Sequence, residues 1–266
     1  MSAVIQSTSE PILLRQDVGG VTTLTLNRPN QFNSLSQALL GELQAELDAV
    51  AKDASVRVVV IAGAGRAFCS GHDLKEMRAH HDKATMQALF RQCGKVMTTI
   101  GEMPQPVIAR VHGIATAAGC QLVAQCDLAV AAEEARFAVS GINVGLFCST
   151  PAVALSRNVG RKQAMEMLLT GDFIDAREAQ RRGLINRVVA AADLDSELGK
   201  LCAAVLAKSS VAVSTGKQMF YRQLEMGVAG AYQFAAEVMA TNMMAEDVAE
   251  GIDAFMGKRP PQWKGC

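Results

Sequence analysis

The segment from His112 to Asp127, HGIATAAGCQLVAQCD, joins a predicted strand to a predicted helix through a turn of small residues. The residues too small to shield the backbone of this turn are Gly113, Ala115, Ala117, Ala118 and Gly119. The first N–H groups of a helix have no partner inside that helix, and the positive end of the helix dipole adds to their attraction for an anion. The turn is therefore predicted to bind an oxygen atom that carries negative charge. One turn further on stands Gln121, a neutral amide where a carboxylate could do acid or base work.

A second segment has the same design. The run from Phe68 to Lys75, FCSGHDLK, follows a predicted strand that ends near Ala62, and it also carries a glycine just before a helix start. Two such helix starts that face each other can place two N–H groups on one oxygen atom, which would form an oxyanion hole for an enolate or a tetrahedral anion. The composition leaves a second interpretation open, in which both segments are ordinary strand-to-helix turns that contain glycine for steric reasons.

These turns are predicted to lie within an alternating series of strands and helices. Continuous apolar runs indicate buried strands, and apolar residues at helical spacing indicate helices. The predicted strands are 21–26, 58–62, 107–111 and 127–131, and the predicted helices are 37–52, begun by a capping box of Ser34 and Gln37, and 73–100. This alternation predicts an α/β core with helices packed against sheet.

The last part of the chain has a different pattern. From Asp193 onward the sequence is typical of helices, which we predict over 194–207 and 229–255. The second of these has more apolar surface than a lone helix at the edge of a monomer should expose. We therefore expect it to cover the core or a neighbouring subunit.

The composition excludes several classes of protein. The 266 residues include 26 Lys and Arg and 26 Asp and Glu, so no global field favours nucleic acid or an anionic membrane. The longest apolar-rich run, 56–65, is too short to cross a bilayer and is predicted to be a buried strand. The seven cysteines are odd in number and include no CxxC pair, which is typical of a reducing compartment. Because the first residues also lack a signal-peptide pattern, we expect a cytoplasmic protein.

Four sequence blocks resemble the signature blocks of the enoyl-CoA hydratase/isomerase, or crotonase, superfamily, and they occur in that family's order. They are LNRPNQFNSLS (26–36), AFCSGHDLKEM (67–77), HGIATAAGCQLVAQCDLAVA (112–131) and AMEMLLTGDFIDAREAQRRGLINRVV (164–189). The resemblance implies an α/β fold, with a crotonase-like spiral of ββα units over 1–192 and a C-terminal α-helical oligomerisation region over 193–266. It also implies an enzyme of fatty acid metabolism, a lyase or isomerase, that acts on an acyl-CoA thioester and forms a homotrimer or a dimer of trimers. Coenzyme A would be part of the substrate, and no separate cofactor or metal is expected.

The same resemblance implies roles for single residues. It places the two oxyanion-hole N–H groups at His72 and Ala118, and the residues expected to contact the CoA thioester are His72, Asp73, Leu74, Lys75 and Ala118. In the hydratases of this family two glutamates hold the water, and their positions are taken here by Gln121 and Gly141. Each general acid or base contributes about 10²- to 10⁴-fold in rate. Hydration by the usual mechanism is therefore expected to be several decades slower.

The missing carboxylates leave three functions open. The first is the nominal enoyl-CoA hydratase/isomerase, which stabilises an enolate in the oxyanion hole. The second is a decarboxylase-like enzyme, because decarboxylation needs a held carboxylate and a stabilised enolate but no strong base. The third is a catalytically silent oligomer that binds acyl-CoA.

Two side chains keep alternative roles at this level. Cys148 aligns near a tyrosine of the family's decarboxylase branch and is a candidate substitute for the glutamates, or else a buried soft residue in a tight loop. The His72 ring is a possible base, or else a side chain incidental to its own N–H group.

Overall fold

Residues 10–266 are described by a computed structural model, in which ten strands and eleven α-helices follow one another along this part of the chain. The strands are β1 (Leu13–Val18), β2 (Val21–Leu26), β3 (Val58–Gly63), β4 (Ala67–Cys69), β5 (Val107–Val111), β6 (Ile114–Thr116), β7 (Leu128–Ala132), β8 (Arg136–Ala138), β9 (Ile174–Asp175) and β10 (Arg187–Val189). The helices are α1 (Gln37–Val50), α2 (Leu74–Ala79), α3 (Lys83–Glu102), α4 (Ala118–Gln125), α5 (Ser149–Asn158), α6 (Arg161–Thr170), α7 (Ala176–Arg181), α8 (Leu194–Leu206), α9 (Ser210–Leu224), α10 (Val228–Asn242) and α11 (Glu246–Met256).

The strands form two sheets, and from β3 to β8 successive strands alternate between them. The large sheet has the order β1-β2-β3-β5-β7-β10 and is parallel except for the β1–β2 hairpin. The small sheet has the order β4-β6-β8-β9, with only β9 antiparallel among these four strands of residues 10–266. The pairs β3–β4, β5–β6 and β7–β8 each place one strand in each sheet and are each followed by a helix. This succession of ββα units confirms the predicted spiral.

The large sheet is buried on both faces, as its continuous apolar strands predict. On β3, Val59 and Ile61 belong to the main core, which also contains the apolar faces of α1 and α3. Val58 and Val60 belong to a second apolar cluster, in which Leu201 of α8 takes part. Because α8 covers this second face, it packs directly on the sheet. The division of the chain at 192/193 stays a prediction.

The prediction of a single helix over 73–100 is wrong, because this stretch forms two helices, α2 and α3. The backbone leaves the helical conformation at His80, with φ −118° and ψ 58°. Asp82 then begins α3, and its carboxylate accepts the N–H of Thr85 at 2.9 Å. An Asp that caps a new helix competes with continuation of the previous one, and apolar spacing alone does not reveal this.

The predicted capping box of α1 is displaced by two residues. The residue that caps α1 is Ser36, whose hydroxyl accepts the N–H of Leu39 at 3.2 Å. The hydroxyl of Ser34 lies instead 3.1 Å from the guanidinium of Arg28. A tertiary contact therefore decides which serine is free to cap the helix.

The C-terminal helices also differ from the prediction. The stretch 229–255 forms two helices, α10 and α11, and α9 was not predicted as a separate helix. The start of α11 is fixed by the buried carboxylate of Asp247, which accepts the hydroxyl of Ser209 and the N–H of Lys264, both at 2.6 Å. Because apolar spacing continues through this break, the sequence pattern does not reveal it.

Three further features bear on the predictions made from the sequence. Within residues 10–266 no single helix combines the length and apolar character needed to cross a membrane, and one bent pair, Ala191–Leu206 with Ser210–Leu224 at 100°, meets that test by length and composition alone. The run 56–65 contains the buried strand β3, as predicted. All seven cysteines are free, and only Cys266 is exposed.

Candidate active site

A cavity of about 260 Å³ lies between the starts of α2 and α4 and the loop that precedes α5. Five of the predicted site residues line this cavity: His72, Leu74, Ala118, Gly141 and Cys148. The structure thus brings together the two turns and the loop that the sequence singled out. The predicted residues that do not line it are Asp73, Lys75 and Gln121.

The turn before α4 has a strained backbone. Ala117 has φ 50° and ψ −120°, a conformation that favours glycine. Its N–H donates to the carbonyl of Ala138 at 3.0 Å, and its carbonyl accepts the N–H of Gln121 at 3.0 Å. Such strain persists only where surrounding contacts fix it, and it is concentrated at functional sites. Here it lets β6 run directly into α4, whose first residue is Ala118.

Gly71 allows the turn before α2 to pack against the turn before α4. It has φ +91°, and a Cβ on it would lie 2.8 Å from the Cβ of Ala117 and 3.1 Å from the backbone nitrogen of Ala118. On the other side of the turn, the N–H of Leu35 donates to the Gly71 carbonyl at 2.8 Å. The backbone just before His72 is therefore packed against the first N–H of α4. Within residues 10–266, neither the N–H of His72 nor that of Ala118 donates a hydrogen bond to the protein.

The approach of α4 to β4 also depends on a glycine. A Cβ on Gly119 would overlap the carbonyl group of Cys69. Only a residue without a side chain allows this packing, which holds the start of α4 beside the end of β4.

An ion pair next to the cavity fixes the turn at the start of α2. The guanidinium of Arg28 lies 2.9 Å from the Asp73 carboxylate, which also accepts the N–H groups of Lys75 and Glu76 at 3.1 and 3.3 Å. Burial alone would raise the pKa of Asp73, but the Arg28 guanidinium and these N–H groups outweigh it and lower that pKa. The Asp73 carboxylate is thus occupied within the protein. The sequence reasoning missed Arg28, although it lies in the block 26–36.

The ring of His72 is packed rather than hydrogen-bonded. It makes an edge-to-face contact with Phe90, with ring centres 5.5 Å apart. Both ring nitrogens are buried and have no hydrogen-bond partner among the described residues. Burial lowers the pKa of His72, and the nearby Leu35 carbonyl offsets this only in part, without reaching hydrogen-bond geometry. The ring is therefore neutral near neutral pH.

The loop from Ser140 to Cys148 fills the space beside Gly141, which the resemblance places at the position of the second glutamate. The Gly141 N–H donates to the Cys148 sulfur at 3.3 Å. A Cβ on Gly141 would lie 2.6 Å from the Leu146 carbonyl oxygen and 2.7 Å from the Cys148 sulfur, so any larger residue requires the loop to move. Burial raises the pKa of the Cys148 thiol, and the Gly141 N–H offsets this in part. The thiol therefore stays protonated near neutral pH.

Gln121, which the resemblance places at the position of the first glutamate, lies in α4 and does not line the cavity. Its side chain is buried, and its Oε1 atom has no hydrogen-bond partner within residues 10–266. No Asp or Glu is among the residues that line the cavity. The wall therefore contains no carboxylate, and the backbone N–H groups of His72 and Ala118, two of its residues, have no acceptor within residues 10–266.

A resident metal is not expected from the sequence, and this stays a prediction. In the part of the chain that the structure describes, no group of three or more His, Cys, Asp or Glu side chains is placed to hold a metal ion.

Comparison with known proteins gives one consistent family. The model of the family described as enoyl-CoA hydratase/isomerase matches residues 16–266. The chain is 44% identical over 253 residues to enoyl-CoA hydratase domain-containing protein 3, mitochondrial, of Xenopus laevis, covering 95% of this chain and 86% of that one. It is 37% identical over 259 residues to 2,3-dehydroadipyl-CoA hydratase of Escherichia coli K12, covering 97% and 99%. The crystal structure of an enoyl-CoA hydratase from Mycobacterium smegmatis is 58% identical, with a TM-score of 0.94, and the match covers 96% of this chain and 99% of that one.

These matches confirm the resemblance carried by the sequence blocks. Three shorter runs, SGHDLKEM (70–77), TAAGCQLVA (116–124) and NVGLFCSTP (143–151), resemble domain-containing protein 3 and its bacterial relatives in particular. The fold comparison agrees, since this chain superposes over almost its full length on the bacterial enzyme structure.

Proposed function

The chain belongs to the enoyl-CoA hydratase/isomerase family, and from this premise we propose that it binds an acyl-CoA thioester and stabilises the enolate of its acyl group. The enolate oxygen accepts hydrogen bonds from the N–H groups of His72 and Ala118. The observation that carries the proposal is the pairing of these two N–H groups in one cavity wall, each without an acceptor in the described residues. Preorganised donors of this kind act most strongly in a water-poor site.

The CoA portion is expected to lie along the start of α2. The Leu74 side chain is exposed there, and Lys75 forms no ion pair within residues 10–266. Its ammonium group is therefore available to a phosphate of CoA. The Asp73 carboxylate contributes indirectly, because it holds the turn that presents His72.

A specific observation favours chemistry that needs no carboxylate base. The space beyond Gly141 is occupied by the Leu146 carbonyl and the Cys148 sulfur, and no carboxylate lines the cavity. Decarboxylation of a malonyl-type thioester meets this condition. The bond from Cα to the carboxylate breaks, carbon dioxide leaves, and the electron pair forms the enolate that the two N–H groups bind, after which Cα takes a proton from solvent. We rank this reaction as the second candidate, beside nominal hydration or isomerisation.

The C-terminal helices support a homotrimer or a dimer of trimers. Large apolar side chains on α9, α10 and α11 are exposed, with Tyr232 76%, Met239 71% and Phe255 85% accessible. Contiguous apolar surface of this kind is typical of subunit interfaces. Light scattering coupled to size-exclusion chromatography tests this, and a monomer at micromolar concentration would contradict it. A cytoplasmic location also stays a prediction, and the Xenopus relative's name places that relative in mitochondria.

The central proposal is tested with acetoacetyl-CoA, whose enolate absorbs in the near ultraviolet and can be titrated without any turnover. An oxyanion hole lowers the apparent pKa for enolisation of the bound thioester. We expect a fall of more than about two units, because a single oxyanion-hole donor contributes about 2.7 kcal/mol or more, which is about two pKa units. If bound acetoacetyl-CoA titrates as it does in water, the enolate proposal is wrong.

The reaction itself is tested with crotonyl-CoA and methylmalonyl-CoA. Hydration of crotonyl-CoA is expected to be several decades slower than that of an enzyme with both glutamates. Hydration at ordinary enzyme rates would refute the carboxylate-independent proposal. Lowered enolisation pKa without turnover of either thioester would indicate the third alternative, the silent acyl-CoA-binding oligomer.

A further inference from the structure

The cavity has predominantly apolar walls. Its large side chains are Leu74, Met77, Phe90, Val144, Leu146 and Phe147. The remaining side chains in the wall are small, hydroxyl-bearing or uncharged, apart from the titratable groups of His72 and Cys148. No Lys or Arg is among the residues that line the cavity, so the wall offers a bound anion no cation.

The polar groups of the wall are few and partly occupied. The Ser140 hydroxyl is hydrogen-bonded to that of Thr116 at 2.7 Å. Helix α5 begins at the cavity, but the Ser149 N–H donates to the Phe147 carbonyl at 2.8 Å and Pro151 has no N–H. Only the N–H of Thr150 remains free in this first turn of the described helix. This N–H, the hydroxyls of Ser70 and Thr150 and the remaining N–H groups of the wall are all neutral donors, and without a cation they compensate poorly for the desolvation of a carboxylate.

The two titratable side chains do not supply positive charge. The His72 ring is neutral near neutral pH because it is buried against Phe90. The Cys148 thiol can only be neutral or negative. Lys75 is exposed and outside the cavity wall, on the side assigned to CoA.

We infer that the cavity selects CoA thioesters whose acyl chain is apolar and uncharged, and discriminates against acyl chains that end in a distal carboxylate. This inference rests on the proposed function, because it assigns the apolar part of the cavity to the acyl group. A carboxylate on Cα is a separate case, because it lies next to the thioester carbonyl and not at the far end of the acyl chain, which is the part assigned to the apolar wall.

The test is equilibrium binding by isothermal titration calorimetry of the full chain with pentanoyl-CoA and glutaryl-CoA. These thioesters have the same chain length and differ by a terminal carboxylate, and free CoA gives the baseline. We expect pentanoyl-CoA to bind more tightly than CoA and at least about tenfold more tightly than glutaryl-CoA, or about 1.4 kcal/mol. Glutaryl-CoA that binds as tightly as pentanoyl-CoA would overturn the inference and leave the proposed function intact. If neither thioester binds more tightly than CoA, the proposed function fails and the inference fails with it.

A gain-of-charge variant locates the discrimination in this cavity. Leu146 lines the cavity and is 43% exposed, so Leu146→Arg adds a cation at its mouth without filling the core. Val153 on α5 is 54% exposed and lies outside the wall, which makes Val153→Arg the matched control. We expect Leu146→Arg to reduce the ratio of the two affinities to less than about threefold, and Val153→Arg to leave it unchanged. Equal ratios in both variants would contradict this location.

Discussion

The substitution Gly71→Ala tests the oxyanion hole most directly, because Gly71 separates its two halves. An added Cβ would lie 2.8 Å from the Cβ of Ala117, whereas carbon atoms in contact lie about 3.5 Å apart or more. The two turns must therefore separate by at least about 0.7 Å. A hydrogen bond of ordinary length, about 2.9 Å, would be stretched to about 3.6 Å, which is no longer a hydrogen bond.

The expected effect follows from the loss of one donor. Removal of one oxyanion-hole donor costs about 10²- to 10³-fold, or about 2.7 to 4 kcal/mol. In the acetoacetyl-CoA titration this corresponds to a rise of about two units or more in the enolisation pKa, relative to the wild-type protein. The variant would also lose stability, because alanine at φ +91° is strained by about 1 to 2 kcal/mol.

The control separates strain from displacement. Gly19, in the β1–β2 hairpin, has φ +57°, and no atom lies within 4 Å of a Cβ built on it. Gly19→Ala should therefore show a similar backbone strain in urea unfolding and an unchanged enolisation pKa. If Gly71→Ala folds and binds acetoacetyl-CoA with the wild-type enolisation pKa, the assignment of the two N–H groups is wrong.

Three further predictions concern the groups around the site. Lys217→Met leaves the Asp127 carboxylate, now 2.8 Å from the Lys217 ammonium, without its buried cation, and should cost about 3 to 5 kcal/mol in urea unfolding. Arg157→Met breaks an exposed pair and should cost less than about 1 kcal/mol, so equal losses would contradict the role of burial. Because the folded pKa of Asp73 is lowered, its carboxylate adds stability above its unfolded pKa of about 3.9, and this stability is lost as the pH falls through the folded value. Asp73→Asn should therefore flatten the acid limb of stability against pH, and an unchanged limb would argue against the ion pair. The Cys148 thiol, with its raised pKa, should react with iodoacetamide at neutral pH more slowly than exposed Cys266, as peptide mass spectrometry can measure, and the reverse order would refute its neutral, buried state.

The sequence determined those features that depend on local pattern. The run of apolar residues in β3 indicates a strand covered on both faces, because alternating side chains then enter two separate cores. The turn at Ala117 and Ala118 is visible because only small residues allow a helix start to remain open. The absence of carboxylates at Gln121 and Gly141 is visible because residue type alone decides whether a side chain can exchange a proton.

The tertiary structure alone decided how these parts meet. The capping serine of α1 is chosen by a contact of Ser34 with Arg28, which also pairs with Asp73. Gly71 and Ala117 are 46 positions apart in the sequence, yet a Cβ on Gly71 would lie only 2.8 Å from the Cβ of Ala117. Such distances follow from the packing of the whole sheet, because no local preference fixes the separation of two turns. The sequence therefore showed which residues stand in the two turns and that carboxylates are absent at Gln121 and Gly141. Folding decided that the two turns pack against each other and that the space beside Gly141 is filled by Leu146 and Cys148.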